Sequence, residues 1–185
     1  ISERKKLIRH LVMTCLTLER KKMKKLLLIL ALAVMCNSVT RAEHFDDIDD
    51  GMEAYLKRDY ATALKLFRPL AEQGYASAQH SLGVMYANGE GVTQDYKKAV
   101  EWYRLAAEQG DGEAQNNLGL MYTNGEGVIQ DYVLAHSWFN LAASNRSEKG
   151  SKNRDKVSAL MTASQISEAQ DMAKECLKKN YKNCE

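Results

Sequence analysis

Proline is nearly missing from this sequence: Pro69 stands alone among 185 residues. With so few helix breakers and an abundance of Ala, Leu, Glu, Gln and Lys, the chain is expected to be all-α. No apolar run is long enough to cross a bilayer, which takes ~20 residues; the run from Leu26 to Cys36 has eleven. The four histidines, His10, His44, His80 and His136, fall in four separate segments without paired spacing. A zinc site needs about four convergent ligands, so neither a metal nor a cofactor is expected. Two glycine-bearing stretches, NGEGVTQDY at 88–96 and NGEGVIQDY at 124–132, lack the Gly-Lys-Ser/Thr ending with which a phosphate loop holds nucleotide and magnesium. They are expected to be joints between helices rather than sites.

What is present begins with an export signal. From Met23 the chain runs through Lys24 and Lys25, then the apolar run, then a polar stretch ending at Ala42. Residues 23–42 therefore read as a signal peptide cleaved after Ala42. The chain is expected to be periplasmic or secreted, with no stable membrane insertion once the signal is gone. Residues 1–22 lie upstream of that signal and read as an untranslated leader, because Arg20 and Lys21 are encodable by a purine-rich ribosome-binding sequence. From residue 43 onward there are 16 basic and 22 acidic residues, a net charge of −6 against +2 for the whole sequence. An acidic body without a basic stripe argues against nucleic acid as a partner. The last segment, 137–185, carries 9 basic and 6 acidic residues, most simply a solvated helix face.

Shifting the chain by 36 lays residues 71–106 over 107–142 with 22 identities and no gap. Self-similarity at this period signals stacked helical repeats. Ala78, Leu82, Met85 and Tyr86 recur as Ala114, Leu118, Met121 and Tyr122, one apolar face of a first helix. Ala99, Trp102 and Ala106 recur as Ala135, Trp138 and Ala142, the face of a second helix. Trp102, Tyr103, Trp138 and Phe139 are accordingly expected in the interhelical core. Gly83 and Gly119 sit inside the first helix, where close approach of the partner helix would explain them. Asp95 and Asp131 stand where N-caps are needed.

The pattern A-x3-LG-x2-Y-x2-G-x-GV-x2-D-x3-A-x2-W-x3-AA resembles the Sel1-like repeat family, relatives of the tetratricopeptide repeats, in an exported bacterial member. The resemblance implies an α-solenoid of antiparallel helix pairs wound into a right-handed superhelix. It spans residues 43–185, with a cap hairpin at about 45–70, repeats at 71–106 and 107–142, and a C-terminal cap at 147–180. Phe45, Ile48, Met52 and Tyr55 are expected to form the buried face of the first cap helix. Thr162 and Gln165 have capping-box spacing, and Ile166, Ala169, Met172, Ala173 and Cys176 make one face of a terminal helix. The implied function is that of a monomeric scaffold binding a protein or peptide in the cell envelope, or alternatively a secreted factor that binds a host protein. Alignment with the tetratricopeptide pattern assigns the groove Ser77, His80, Val84 and Asn88 from one repeat and Glu113, Asn116, Leu120 and Asn124 from the next. Of these, Asn88 and Asn124 are explained as well by turn formation, whereas His80, Glu113 and Asn116 have no such structural reason and read either as binding residues or as a solvated polar helix face.

Some Sel1-like proteins are described as penicillin-binding or β-lactamase-like. Hydrolysis by a serine β-lactamase needs Ser-x-x-Lys, found here only from Ser2 to Lys5, upstream of the signal, and no Lys-Thr-Gly occurs. The chain is therefore expected not to be an enzyme, with weak β-lactam binding as the remaining alternative. Cys176 and Cys184 survive processing, and an even number in an exported chain suggests a disulfide. A continuous helix would hold them ~12 Å apart, beyond the ~7 Å limit for a bridge. Bridging requires the helix to stop first, for instance at Asn180; otherwise Cys176 is buried and the tail thiol free.

Overall fold

The computed structural model describes residues 47–182 and Cys184. Phe45 and the expected leader and signal lie outside the described residues. Those described form helices joined by turns, with no strand. In chain order they are α1 (47–56), α2 (Tyr60–Glu72), α3 (Ala76–Asn88), α4 (Tyr96–Ala107), α5 (Gly112–Asn124), α6 (Tyr132–Ser144), α7 (Glu148–Ser158) and α8 (Ala163–Lys178). From α2 to α7 each helix packs on the next, as a stack of helix hairpins must. The architecture is an all-α solenoid.

The periodic residues are the core. Ala78, Leu82, Met85, Ala114, Leu118 and Met121 are buried from the first helices. Ala99, Tyr103, Ala106, Ala135, Trp138, Phe139 and Ala142 are buried from the second, while Trp102 is half-buried. Helix glycines admit the aromatic rings. A Cβ built on Gly83 would lie 2.5 Å from the Tyr103 ring, and one on Gly119 would lie 2.6 Å from Phe139. Gly51 meets Phe67 in the same way, at 2.6 Å, so the first hairpin obeys the same rule. The expected face of α1 is corrected at Met52, while Ile48 and Tyr55 do pack against the core. Gly51 and Ala54 are buried there, whereas Met52 is 41 % exposed and Ile48 and Tyr55 are half-buried. The ring of Phe67 sits over the glycine, and Met52, the next residue along, turns outward.

The NGEG stretches are joints. Gly89 and Gly125 end α3 and α5 in the left-handed conformation, donating to the carbonyls of Met85 and Met121. Gln94 and Gln130 clasp each turn by donating to the carbonyls of Ala87 and Thr123 at 2.7 and 2.8 Å. Asp95 caps α4 by accepting from Lys98 N, and Asp131 caps α6 by accepting from Val133 N and Leu134 N. At the C-terminal end Thr162 and Gln165 form the capping box.

A buried amide ladder ties successive hairpins together. Gln79 and Gln115 donate to the carbonyls of Ala71 and Ala107 at 3.1 and 3.0 Å. Each then accepts from the turn that leads into the next hairpin, Gln79 from Gln109 at 2.7 Å and Gln115 from Asn145 at 2.9 Å. The ladder ends where Tyr181 Oη donates to Asn145 Oδ1 at 3.0 Å. Tyr181 reaches that place because α8 stops at Lys178, Asn180 and Tyr181 both adopt positive φ, and the tail turns back. Cys176 and Cys184 are bridged with Cα atoms 4.9 Å apart, the stop near Asn180 that bridging requires.

The terminal helix departs from the hairpin rule. α8 packs on α6 rather than pairing closely with α7. Adding 36 to Gly119 reaches Asp155, and adding 36 to Phe139 reaches Glu175. The glycine-and-ring contact that draws other hairpins together is therefore replaced by two carboxylates. α8 instead buries Ala169, Ala173 and Cys176, with Ile166 and Met172 of the expected face half-buried.

Candidate functional site

The first helices of the hairpins, α1, α3, α5 and α7, share one face on which two depressions occupy equivalent positions. One, of about 130 Å³, is lined by Met52 and Tyr55 of α1 and His80, Ser81 and Val84 of α3. The other, of about 210 Å³, is lined by Leu120 and Thr123 of α5, Asn153, Lys156, Val157 and Leu160 of α7 and its end, and Phe139 beneath. Aligning the helix glycines and the 36-residue period matches Met52 with Leu120, Tyr55 with Thr123, Ser81 with Asn153, and Val84 with Lys156. The two depressions are thus one recurring feature, largely apolar and without a formal charge at Val84 in the first case and bearing a cation at the equivalent Lys156 in the second.

The eight residues assigned to the groove divide sharply. Val84 and Leu120 are half-buried and line the depressions. Ser77, Asn88 and Asn124 are exposed. Asn88 also donates to Glu90 at 3.1 Å, so turn formation accounts for it. Glu113 accepts from Ser147 Oγ and from Lys149 Nζ, both at 2.9 Å; the Lys149 ammonium holds its carboxyl below the ordinary value. Asn116, expected to face the groove, is only 2 % exposed. Its neighbour Asn117 is the half-buried one.

The buried amides form a directional relay across three helices. Asn153 of α7 donates to Asn116 Oδ1 at 2.9 Å, Asn116 donates to Asn117 Oδ1 at 3.3 Å, and Asn117 Nδ2 lies 3.0 Å from His80 Nε2 of α3. Because Asn117 spends its carbonyl oxygen on Asn116, its NH₂ faces the imidazole, which must be neutral and accepting at Nε2. Burial holds the His80 ring below the ordinary histidine value, against the opposing pull of Asp111 and Glu113. His80, Glu113 and Asn116 therefore have structural partners, contrary to the expectation that folding makes no use of them. Replacing His80 and Asn116 by Ala would leave the half-buried amides of Asn117 and Asn153 without these partners, at up to about 1–3 kcal/mol each, so fold and binding are not separable through them.

At the α1 end Glu90 accepts from Tyr55 Oη at 2.6 Å and Tyr60 Oη at 3.1 Å. Burial works against its charge, but these donors and Asn88 hold the carboxyl below its usual range. Tyr55 is correspondingly pushed up to about 12, by burial first and by Glu90 second. Its hydroxyl stays protonated and its ring is fixed as a wall of the first depression. Sequence reasoning missed Met52, Tyr55, Asn117, Asn153, Lys156 and Leu160. Carrying the register from Val84 back to Met52 and forward from Leu120 to Lys156 would have found the lining. A further depression of about 430 Å³ lies on α8 beside the disulfide, between Glu168, Asp171, Glu175 and Lys179. Among the described residues no group of His, Cys, Asp or Glu is arranged to hold a metal ion, and no helix is long and apolar enough to cross a membrane.

Helix hairpins stacked at a fixed period, with open depressions on one face, define a helical-repeat solenoid. The chain belongs to the Sel1 repeat family, whose model matches residues 50–75, 76–111 and 112–147; members of that family generally act as protein–protein interaction scaffolds. The matched units begin at the first helices, five residues after the starts read from the sequence, and they count the first hairpin as a repeat. Two solved structures are similar. One is a protective antigen present in uropathogenic Escherichia coli strains displaying an SLR fold, 32 % identical over 76 % of this chain and 31 % of that one, with TM-score 0.71. The other is a Sel1 repeat protein from Oxalobacter formigenes, 34 % identical over 57 % of this chain and 43 % of that one, with TM-score 0.55. This chain thus spans less than half the length of either. No curated protein sequence matches it.

Proposed function

We propose that this protein is an exported, monomeric scaffold that holds a protein or peptide partner in the bacterial cell envelope on the face built by α1, α3, α5 and α7. The observation that carries this reading is the recurrence of an open, largely apolar depression at equivalent positions of two helix junctions. The signal-like segment from Met23 supports export, and the acidic body argues against a nucleic-acid role. One solved relative is described as a protective antigen, which favours a second reading in which the chain is released and its partner is a host protein.

A photo-crosslinking residue placed in turn at Ser77 and Asn124, exposed on this face, and at Lys97 on a second helix tests the site in living cells. Envelope protein crosslinked from the first two positions and not from Lys97 is expected. Crosslinks confined to Lys97 would move the site to the opposite face. N-terminal sequencing of the natural product is expected to begin at Glu43; a start before that residue refutes the export scheme.

A further inference from the structure

Resting on the reading of this face as a peptide-binding groove, we propose that its ligand is one extended segment lying across the first helices. It carries two large apolar side chains about six residues apart, the second next to a carboxylate. Three observations lead there. The depressions, about 130 and 210 Å³, are of the size that admits a benzene-sized group, ~150 Å³ in an engineered cavity. Their walls offer Met52, Tyr55 and Val84 in one, and Leu120 and Leu160 in the other, with Met52 41 % and Leu160 62 % exposed and so available for contact. The spacing follows from the fold. The depressions lie two first-helix steps apart, and packed helices stand ~8–10 Å from one another. Roughly 16–20 Å is covered by about six residues of extended chain at ~3.3 Å each, an even step that turns both side chains to the same side.

Charge sets the direction. Lys156 is exposed at the rim of the second depression, and no carboxylate among the described residues pairs with it. Its neighbours on α7 are engaged, Lys149 with Glu113, Lys152 with Glu148 and Arg154 with Asp155. The equivalent position in the first depression is Val84, which has no charge to offer. A ligand carboxylate beside its second apolar residue meets Lys156, whereas the reversed segment places that carboxylate on Val84 and Tyr55, close to Glu90, and is repelled.

Fluorescence anisotropy with labelled synthetic peptides in a Gly/Ser background tests this with the natural chain. The reference peptide has two leucines six residues apart and an aspartate after the second; the others have the leucines three apart, one leucine, or lysine for aspartate. The reference is expected to bind roughly tenfold more tightly than each of the others, a difference of about 1.4 kcal/mol. Met52→Asp, at an exposed position, is expected to lose that advantage with its circular dichroism unchanged. Lys156→Glu is expected to reverse the preference toward the lysine peptide. Indifference to leucine spacing, or no reversal by Lys156→Glu, overturns the proposal. The crosslinking at Ser77 and Asn124 separates the two levels: a captured segment without this pattern sinks the inference and leaves the groove standing, and no capture at either position sinks both.

Discussion

Gly83 and Gly119 show how far context can invert a residue's ordinary preference. In an exposed helix interior, Gly→Ala is worth about 1 kcal/mol in favour of Ala. Here the added methyl would meet the rings of Tyr103 and Phe139 at 2.5 and 2.6 Å. Phe139 is 1 % exposed and Tyr103 3 %, so neither ring has room to retreat, and overpacking of this kind costs ~1–3 kcal/mol. The second effect wins. Gly119→Ala is expected to destabilise by up to roughly 2 kcal/mol net in urea unfolding followed by circular dichroism, with recovery in the Gly119→Ala, Phe139→Leu double variant. A stabilised single variant would refute the contact.

At the scale of the helices, the amide relay couples α3, α5 and α7 to one proton. Its last acceptor is His80 Nε2, and protonating that nitrogen places a donor against the Asn117 donor. His136, whose Nδ1 lies 2.9 Å from Asn140 Nδ2, is likewise held below the ordinary value, by burial first and Arg154 second. Both folded values lie below the unfolded one of about 6.5. The unfolded chain therefore binds more protons, and stability falls as pH drops below the unfolded value toward the folded ones. Asp111 and Glu113 face His80 and oppose the shift, while Lys149 adds to it; Glu113, already lowered, stays ionised through the window. Urea midpoints measured between neutral pH and the mid-fives are expected to decline with acidification. His80→Gln, which keeps an acceptor without a proton to gain, is expected to flatten the decline, and an unchanged slope would show that the relay does not titrate.

For the whole molecule, the C-terminal loop closes the array. An inner repeat exposes partners on both sides, and stability passes between neighbours, so an open amide ladder would begin to fray at Asn145. The Cys176–Cys184 bridge brings Tyr181 onto Asn145 and over Gly110, and Lys182 to within 3.5 Å of Glu108. The short loop it closes corresponds to roughly 2–3 kcal/mol on the chain-entropy account. Adding a dithiol reductant is expected to lower the urea midpoint by a comparable amount and to raise hydrogen exchange in α8 before α4. Tyr181→Phe under oxidising conditions is expected to lose only about 1 kcal/mol. If reduction leaves the midpoint and exchange untouched, the loop does not cap the fold.

Much of this architecture was legible without coordinates, because it rests on local chemistry and on spacing. The 36-residue period, the caps at Asp95, Asp131 and Thr162, the helix glycines and the stop before Cys184 each depend on residues near in sequence or on one exact repeat. What failed to show was which way a polar residue on a first helix turns. Asn116 and Asn117 are neighbours about 100° apart around a helix turning 3.6 residues, and only the presence of Asn153 on α7 makes the first the buried one. Met52 was assigned to the core because it is apolar, yet Phe67 occupies the space over Gly51. The position of α8 on α6 likewise follows from two charged residues, Asp155 and Glu175, far apart in the chain. The helices, their order and the pairing of the repeats follow from propensity, capping and period, and so can be read along the chain. Which side chains remain open to a partner, and where α8 docks, is fixed only in three dimensions, because it depends on which neighbouring helix arrives first to cover them.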